Sequence, residues 1–228
     1  MLYAVDVHGK KIPAKKGLVG YCPVCNEELI PRCGEIRIWH WAHKPQSQCV
    51  YSEESEWHRW WKLMVPPERC EVVFHSDVGV LRADIVTPAG IVVELQRSNI
   101  SLKDVRKREY AYGKMIWLFD VFRQKNNEIR YTVDSWFGSY DIEYKQFEII
   151  YKDKYFVRFR WRWAPKILKH ITKPIFLDCG DFLIYVTRLY FGSPLYGHGY
   201  TWRKSYFIGN VLNGYWIPAS LREEQKSG

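Results

Sequence analysis

Apolar and polar residues alternate with a period of two over residues 80–87 and again over 91–97, and both stretches are rich in β-branched side chains. Thr87-Pro88-Ala89-Gly90 between them carries turn chemistry, so the pattern predicts a β-hairpin. With the turn centred on Ala89, Asp84 lies opposite Glu94. Arg82, Asp84, Val92, Glu94 and Gln96 then share one side, while Ile91, Val93 and Leu95 face a core. Opposed side chains hold their Cβ atoms about 4.5–5.5 Å apart, so two like charges there repel unless something compensates them. A divalent hard cation with oxygen ligands would do so. Arginines such as Arg82 or Arg97 would also do so, and both acids would then be ordinary solvent-side residues.

Helical periodicity flanks this hairpin. Trp57, Trp60, Trp61 and Met64 recur at helical spacing within residues 52–64, with Ser52 in N-cap position, and Glu54, His58 and Lys62 form an i, i+4, i+8 stripe beside the apolar face. The stripe reads either as a converging acid, histidine and lysine or as an exposed salt-bridge row. A second helix starts at Ser101, which stands in capping-box spacing with Asp104, and ends near Gly113. Its exposed side is basic, with Lys103, Arg106, Lys107 and Arg108. Residues 71–75 and Met115–Phe122 read as strands, and a turn over Gln124–Asn127 leads to a further strand, Glu128–Val133. Adjacent strands followed by a helical crossover and another strand describe a mixed α/β (α+β) sheet flanked by helices.

Beyond residue 135 the composition shifts to short aromatic strands with Gly and Pro turns. Tyr155–Trp163 alternates, with Arg158, Arg160 and Arg162 on one face and Phe159, Trp161 and Trp163 on the other. Lys152 to Lys173 holds eight Lys or Arg against one acid, Asp153, so this face is either a track for a phosphate backbone or the basic side of a half-buried strand. Lys166–Thr172 predicts a short helix, Leu177–Tyr190 two strands, residues 193–205 a loop containing His198, and Glu223–Gly228 a frayed tail. The expected organisation is three regions, at 1–50, 51–134 and 135–228.

Composition narrows the classes. A chain of 228 residues with 47 % hydrophobic content can bury a proper core, which excludes a disordered protein. Lys plus Arg number 34 against 25 Asp plus Glu, a net +9 that favours an anionic partner such as nucleic acid. No apolar run of membrane-spanning length and no signal-peptide pattern occurs, so the expectation is a soluble cytoplasmic protein that does not enter a membrane. Aromatic residues make up 17 %, enough for base stacking but equally for filling a β-rich core.

Five Cys and His side chains between residues 22 and 49 have the spacing of metal ligands, one more than a tetrahedral site takes. Cys22-Pro23-Val24-Cys25 is followed by His40-Trp41-Ala42-His43 and by Cys49. A Cys-x-x-Cys knuckle brings two thiolates to one ion, and two later ligands complete a tetrahedron. Cys22 and Cys25 are the firm pair, His43 and Cys49 the preferred partners, His40 the alternate, and Cys33 a further candidate. A fully ligated Zn²⁺ leaves no open position, so this ion is expected to hold the fold of a small ribbon. Cys70 and Cys179 stand far apart in sequence, so no disulfide is needed.

Taken in order, the motifs resemble the CoiA-like competence proteins, a branch of the PD-(D/E)xK restriction-endonuclease-like nucleases. They are Cys22-x-x-Cys25, His40-Trp41-Ala42-His43, Glu54-Ser55-x-x-His58-x-x-x-Lys62, Arg82-Ala83-Asp84-Ile85, Glu94-Leu95-Gln96-x-Ser98, Arg108-x-x-x-Tyr112 and Met115-Ile116-Trp117. The resemblance spans roughly residues 20–120. It implies a restriction-endonuclease-like core with an N-terminal zinc ribbon and a β-rich C-terminal extension. Asp84 and Glu94 would bind Mg²⁺ or Mn²⁺, with Glu54 as a further acid and the Leu95 carbonyl as an added ligand. His58, Lys62 and Gln96 would complete the catalytic set.

Gln96 departs from the pattern, because it stands where the wider superfamily usually has a lysine. Glutamine can hydrogen-bond but carries no charge, and Lys62 is the candidate substitute cation. Arg82, Arg106, Arg108 and Tyr112, together with Arg158, Arg160 and Arg162, are the expected nucleic-acid contacts. The leading reading is a metal-dependent deoxyribonuclease in DNA processing, recombination or transformation, with a homodimer compatible with the sequence. The alternatives are a catalytically inactive nucleic-acid-binding protein on the same fold and a zinc-stabilised protein-interaction module.

Overall fold

The computed structural model describes residues 1–49, 54–121, 147–152, 155–162 and 164–222. Ser52, the segment from Phe122 through the Gln124–Asn127 turn and the Glu128–Val133 strand, Trp163 and the Glu223–Gly228 tail lie outside the described residues. Among those described, the chain forms a mixed α+β fold with two sheets. No described helix is long and apolar enough to cross a membrane.

The small sheet comprises β1 (Tyr3–Val5), β2 (Lys11–Pro13), β3 (Gly20–Tyr21), β4 (Glu28–Arg32) and β5 (His40–Ala42), in the order β2-β1-β3-β4-β5. Its strands are short and its core is slight: Met1, Ala4, Ala14, Cys22, Leu29 and Trp41. So little apolar area favours a further tie, of the kind that a metal ion on the cysteines supplies, beside the hydrogen bonds from Leu2 and Tyr3 to Glu71 of the large sheet.

The large sheet has nine strands: β6 (Cys70–Ser76), β7 (Gly79–Val86), β8 (Val92–Gln96), β9 (Met115–Asp120), β10 (Phe147–Lys152), β11 (Phe156–Trp161), β12 (Ile175–Asp178), β13 (Phe182–Tyr190) and β14 (Leu195–Arg203). Their spatial order is β10-β11-β14-β13-β12-β9-β8-β7-β6. β6, β7 and β8 form an antiparallel meander, and α2 (Leu102–Tyr112) then carries the chain to β9, which pairs parallel with both β8 and β12. Every residue of β9 and β12 is buried, as expected where a parallel pair is covered on both faces. Side chains alternate between the two layers. Met115, Trp117 and Phe119 join Val105 and Tyr112 of α2, while Ile116 and Leu118 join Trp61 and the C-terminal Phe207, Val211 and Leu212. The strands after residue 147 therefore extend the sheet that carries the hairpin.

Two elements differ from the sequence expectation. The first helix, α1, spans only Glu56–Lys62, because Ser55 caps it by accepting from His58 N at 3.4 Å and the Pro66-Pro67 pair lies just beyond its end. Glu54 thus precedes the helix. Residues 193–205, expected as a loop, contain β14, which is paired on both sides. Its glycines are a packing requirement and not a turn signal: a Cβ at Gly199 would lie 2.1 Å from the Tyr185 carbonyl oxygen, and one at Gly197 2.4 Å from Phe159 Cζ. The short helix expected at Lys166–Thr172 is a 3-10 helix over Lys166–His170.

Candidate functional site

The hairpin forms in the expected register, pairing Ile85 with Val93 and Val86 with Val92. One step further Asp84 stands opposite Glu94, and there the ladder is replaced by a side chain: Leu95 N donates to Asp84 Oδ2 at 3.0 Å. Capturing a backbone amide in this way fixes the carboxylate without leaving the amide unpaired. Ile85, Ile91, Val93 and Leu95 enter the core as their alternation requires.

The acid, histidine and lysine preceding the hairpin converge on it. Lys62 has no exposed surface, and its ammonium lies 2.6 Å from Glu54, 2.8 Å from Asp84 and 3.2 Å from Glu71. An exposed salt-bridge row is therefore excluded. Burial alone would lower the pKa of Lys62, but Asp84, Glu54 and Glu71 outweigh it and raise the value. For Glu54 and Asp84, burial pushes upward, and the Lys62 ammonium overrides it and holds both carboxyls below their ordinary range. Arg82 Nη2 adds a contact to Glu54 at 3.1 Å.

Glu71 was not singled out in the sequence. It is 1 % exposed, adopts φ +50°, and accepts from Leu2 N and Tyr3 N as well as Lys62, so it joins β1 to the large sheet. An acid inside the apolar run Cys70-Glu71-Val72-Val73-Phe74 was the signal that could have found it.

His58 bridges α1 to the hairpin, with Nε2 3.1 Å from the Leu95 carbonyl oxygen and Nδ1 2.8 Å from Ser55 Oγ. Burial lowers its pKa and favours the neutral ring, whose Nε2–H donates to Leu95 while Nδ1 accepts from the Ser55 hydroxyl. The Leu95 carbonyl, expected as a metal ligand, thus already accepts one hydrogen bond and retains one lone pair.

Glu94 is 2 % exposed. Its Oε2 accepts from Arg108 Nη1 at 2.8 Å, its Oε1 is buried with no hydrogen-bond partner, and the Tyr112 hydroxyl, likewise buried and unpartnered, stands beside this carboxyl. Burial raises its carboxyl to about 7, with Arg108 pulling down and Asp84 pushing up. Such an oxygen costs free energy unless something pairs with it. A polar cavity of about 250 Å³ opens here, lined by His58, Asp84, Glu94, Leu95, Gln96 and Arg108 among others. The Gln96 amide donates to the Ser98 carbonyl. Glu54 also lines this cavity: its Oε1 is held by Lys62 and Arg82, and its Oε2, like Oε1 of Glu94, is buried with no hydrogen-bond partner.

The residues expected at nucleic acid divide. Arg82 and Tyr112 are buried, at 5 % and 8 % exposure, and the Arg82 guanidinium is spent on Glu54, so neither presents a face to a phosphate. Arg108 turns inward onto Glu94, whereas Arg106 is exposed on α2. On β11 Phe159 and Trp161 are buried and Arg158 and Arg162 exposed, with Arg160 half-buried, as the alternation requires. β11 lies five strands from β8, about 24 Å at the usual 4.7–4.9 Å strand spacing, so these arginines are remote from Asp84.

In the small sheet Cys22, Cys25, His43 and Cys49 bring their donor atoms within 4.8 Å of one another, a set that could bind a metal such as zinc. The knuckle is built locally. Val24 N points at Cys22 Sγ at 3.5 Å, Asn26 N donates to the Cys22 carbonyl at 2.9 Å, and Asn26 takes the positive φ of +59° that closes the turn. Cys25 Sγ lies 3.4 Å from His43 Nε2. Burial, together with the neighbouring Cys22 and Cys49 sulfurs, pushes the Cys25 thiol up to about 12, a crowding that a cation relieves. His40 is outside the group, with its Nδ1 2.8 Å from the Ile38 carbonyl oxygen, and so is Cys33.

No curated protein and no solved structure matches the chain. Residues 10–52 match the family model described as the competence protein CoiA, N-terminal domain. That span contains all four donors of the cysteine–histidine set, and over this module the chain is similar to the CoiA-like competence family, as the order of its motifs indicates.

Proposed function

We propose that the chain is a metal-dependent deoxyribonuclease of DNA processing, recombination or transformation, built on a restriction-endonuclease-like core, with Asp84 and Glu94 as its metal-binding acids. The observation that carries the reading is the unpartnered Glu94 Oε1, buried opposite Asp84 at the wall of a polar cavity. Mg²⁺ commonly takes one or two protein carboxylates and fills its remaining positions with water and substrate phosphate, so two acids suffice. The bound ion would supply an activated water and neutralise charge on the phosphate. Arg108, held by Glu94, lies where it can donate to a phosphate oxygen, and Gln96 and His58 border the same cavity. Lys62 sets the charge of Asp84 from behind and acts as a positioning residue. In the small sheet, Zn²⁺ on Cys22, Cys25, His43 and Cys49 would be structural, since four protein ligands leave no open position.

Linear duplex, single-stranded and branched DNA incubated with Mg²⁺, Mn²⁺ or chelator tests this directly. Cleavage that needs the divalent ion and disappears in Asp84→Asn and in Glu94→Gln is expected. Equal cleavage by wild type and both variants would sink the assignment. A second reading, a binding protein that kept the fold without cleaving, is favoured by Gln96, which leaves the usual lysine place uncharged. DNA affinity without cleavage of any substrate would select it.

A further inference from the structure

A second cavity, of about 320 Å³, lies between the small sheet and α1. Its walls carry Arg32 and Lys44 from the small sheet's side and Arg59 and Arg82 from the core, with His40 and Glu54 between them. Glu54 and Arg82 also line the cavity of Asp84 and Glu94, so the two hollows adjoin. Glu54, the acid in this wall, meets Lys62 at 2.6 Å and Arg82 at 3.1 Å through Oε1, while its Oε2 is buried with no hydrogen-bond partner and has the Met1 ammonium 3.7 Å away to offset its charge. The balance of the remaining lining is positive. Arg59 is the telling residue: it is 3 % exposed, Glu56 engages its Nη1, and its Nε is buried with no partner. A buried guanidinium N–H without an acceptor is costly, and an anion in the cavity is what would pair it. Arg32 and Lys44 stand exposed at the rim, where an anion entering from solvent meets them first.

We propose that this cavity is a phosphate subsite in which Arg32, Lys44 and Arg59 hold a phosphate of the nucleic-acid strand whose neighbouring phosphodiester lies at Asp84 and Glu94. The cysteine–histidine module then has a task beyond its own folding, because it supplies one wall of the substrate path. The proposal rests on the nucleic-acid reading but not on cleavage, so it is tested by binding.

The test is fluorescence anisotropy of a labelled oligonucleotide with the zinc-loaded full chain, in Ca²⁺ and in chelator-free buffer without divalent ion, across a salt series. The Arg32→Glu/Lys44→Glu pair is compared with Lys15→Glu/Lys16→Glu, an equal charge reversal at exposed positions of the same module away from the cavity. The cavity pair should weaken binding at least tenfold and lower the salt slope by about 0.7 for each lost single-strand phosphate contact, while the control pair changes affinity less than threefold. Inorganic phosphate should compete more weakly against the cavity pair than against wild type. Equal losses in the two pairs, or no oligonucleotide binding by wild type, overturns the subsite. Selective loss in the cavity pair together with absence of cleavage under every metal supports the subsite and overturns only the nuclease assignment.

Discussion

The Lys62 ammonium sits 2.8 Å from the Asp84 carboxylate with no access to solvent, and it is shared with Glu54 and Glu71. Three carboxylates and two interior cations, Lys62 and Arg82, thus surround one point behind the hairpin. Removing the lysine leaves uncompensated buried acids, a change that costs about 3–5 kcal/mol. Lys62→Met should therefore lower stability by that order in urea unfolding, and Glu71→Gln should cost less because one acid leaves with its charge. Cleavage measured on whatever Lys62→Met stays folded separates structure from chemistry: full activity there would show that Asp84 does not need Lys62 to position it.

The charge state of Glu94 gives a pH signature. Its folded value is raised to about 7 from an ordinary 4.5, so the native state holds a proton that the unfolded chain has released. This contribution to stability is fully present below the unfolded value and is lost as pH rises through the folded one. Glu94→Gln keeps the neutral shape at all pH values, so its stability relative to wild type should increase from pH 5 to pH 8. Denaturant unfolding of both proteins at the two pH values reads the difference, and the other titrating groups cancel in the comparison.

The same proton competes with a divalent cation. Below about 7 the carboxyl of Glu94 is increasingly protonated, and Mg²⁺ must displace that proton. Apparent Mg²⁺ affinity should then fall by up to tenfold for each pH unit below that point. Titration calorimetry with Mg²⁺ or Ca²⁺ at pH 6 and pH 8 checks it, and Glu94→Gln should lose the pH dependence along with most of the affinity.

For the cysteine–histidine set, zinc content measured by elemental analysis should be near one ion per chain and should drop in His43→Ala but not in His40→Ala. The geometry behind this is that His43 lies beside Cys25 while His40 is turned to the Ile38 carbonyl. Chelation should release the small sheet before the large one, because its core of Met1, Ala4, Ala14, Cys22, Leu29 and Trp41 is too slight to persist alone. Hydrogen exchange over β1 to β5 would register that order, and simultaneous loss of both sheets would refute it.

What could be read in the sequence was what local rules govern. The hairpin register, the Ser101 cap of α2 and the Cys22–Cys25 knuckle follow from period, capping chemistry and ligand spacing, whereas the grouping of His43 and Cys49 with them, in place of His40, is visible only in the fold. The convergence of Glu54, His58 and Lys62 was legible as a stripe, but its burial was not, since burial depends on β1 and β6 closing over it. Glu71 went unnoticed because one acid in an apolar strand acquires meaning only through the Lys62 it meets nine residues away. The continuation of the sheet from β9 into β12 is a pairing across more than fifty residues, and no local pattern encodes it.

β14 is the clearest miss and leads to the last prediction. Gly197-His198-Gly199 reads as a loop by composition, yet these residues occupy the interior of the sheet, where the glycines admit Phe159 and the Tyr185 backbone. Gly199→Ala forces a methyl group to 2.1 Å from the Tyr185 carbonyl oxygen, which cannot move without breaking the β13–β14 pairing. At Gly197 the obstacles are side chains, the buried Phe159 ring at 2.4 Å and Leu189 Cδ2 at 2.9 Å, which can give by repacking where a backbone carbonyl cannot. Gly199→Ala should therefore cost about 3 kcal/mol or more, Gly197→Ala less, and Gly34→Ala, with nothing within 4 Å of its added methyl, within about 0.5 kcal/mol of wild type. If residues 193–205 were a surface loop, all three substitutions would be nearly silent in thermal unfolding, so the ranking itself decides between loop and strand.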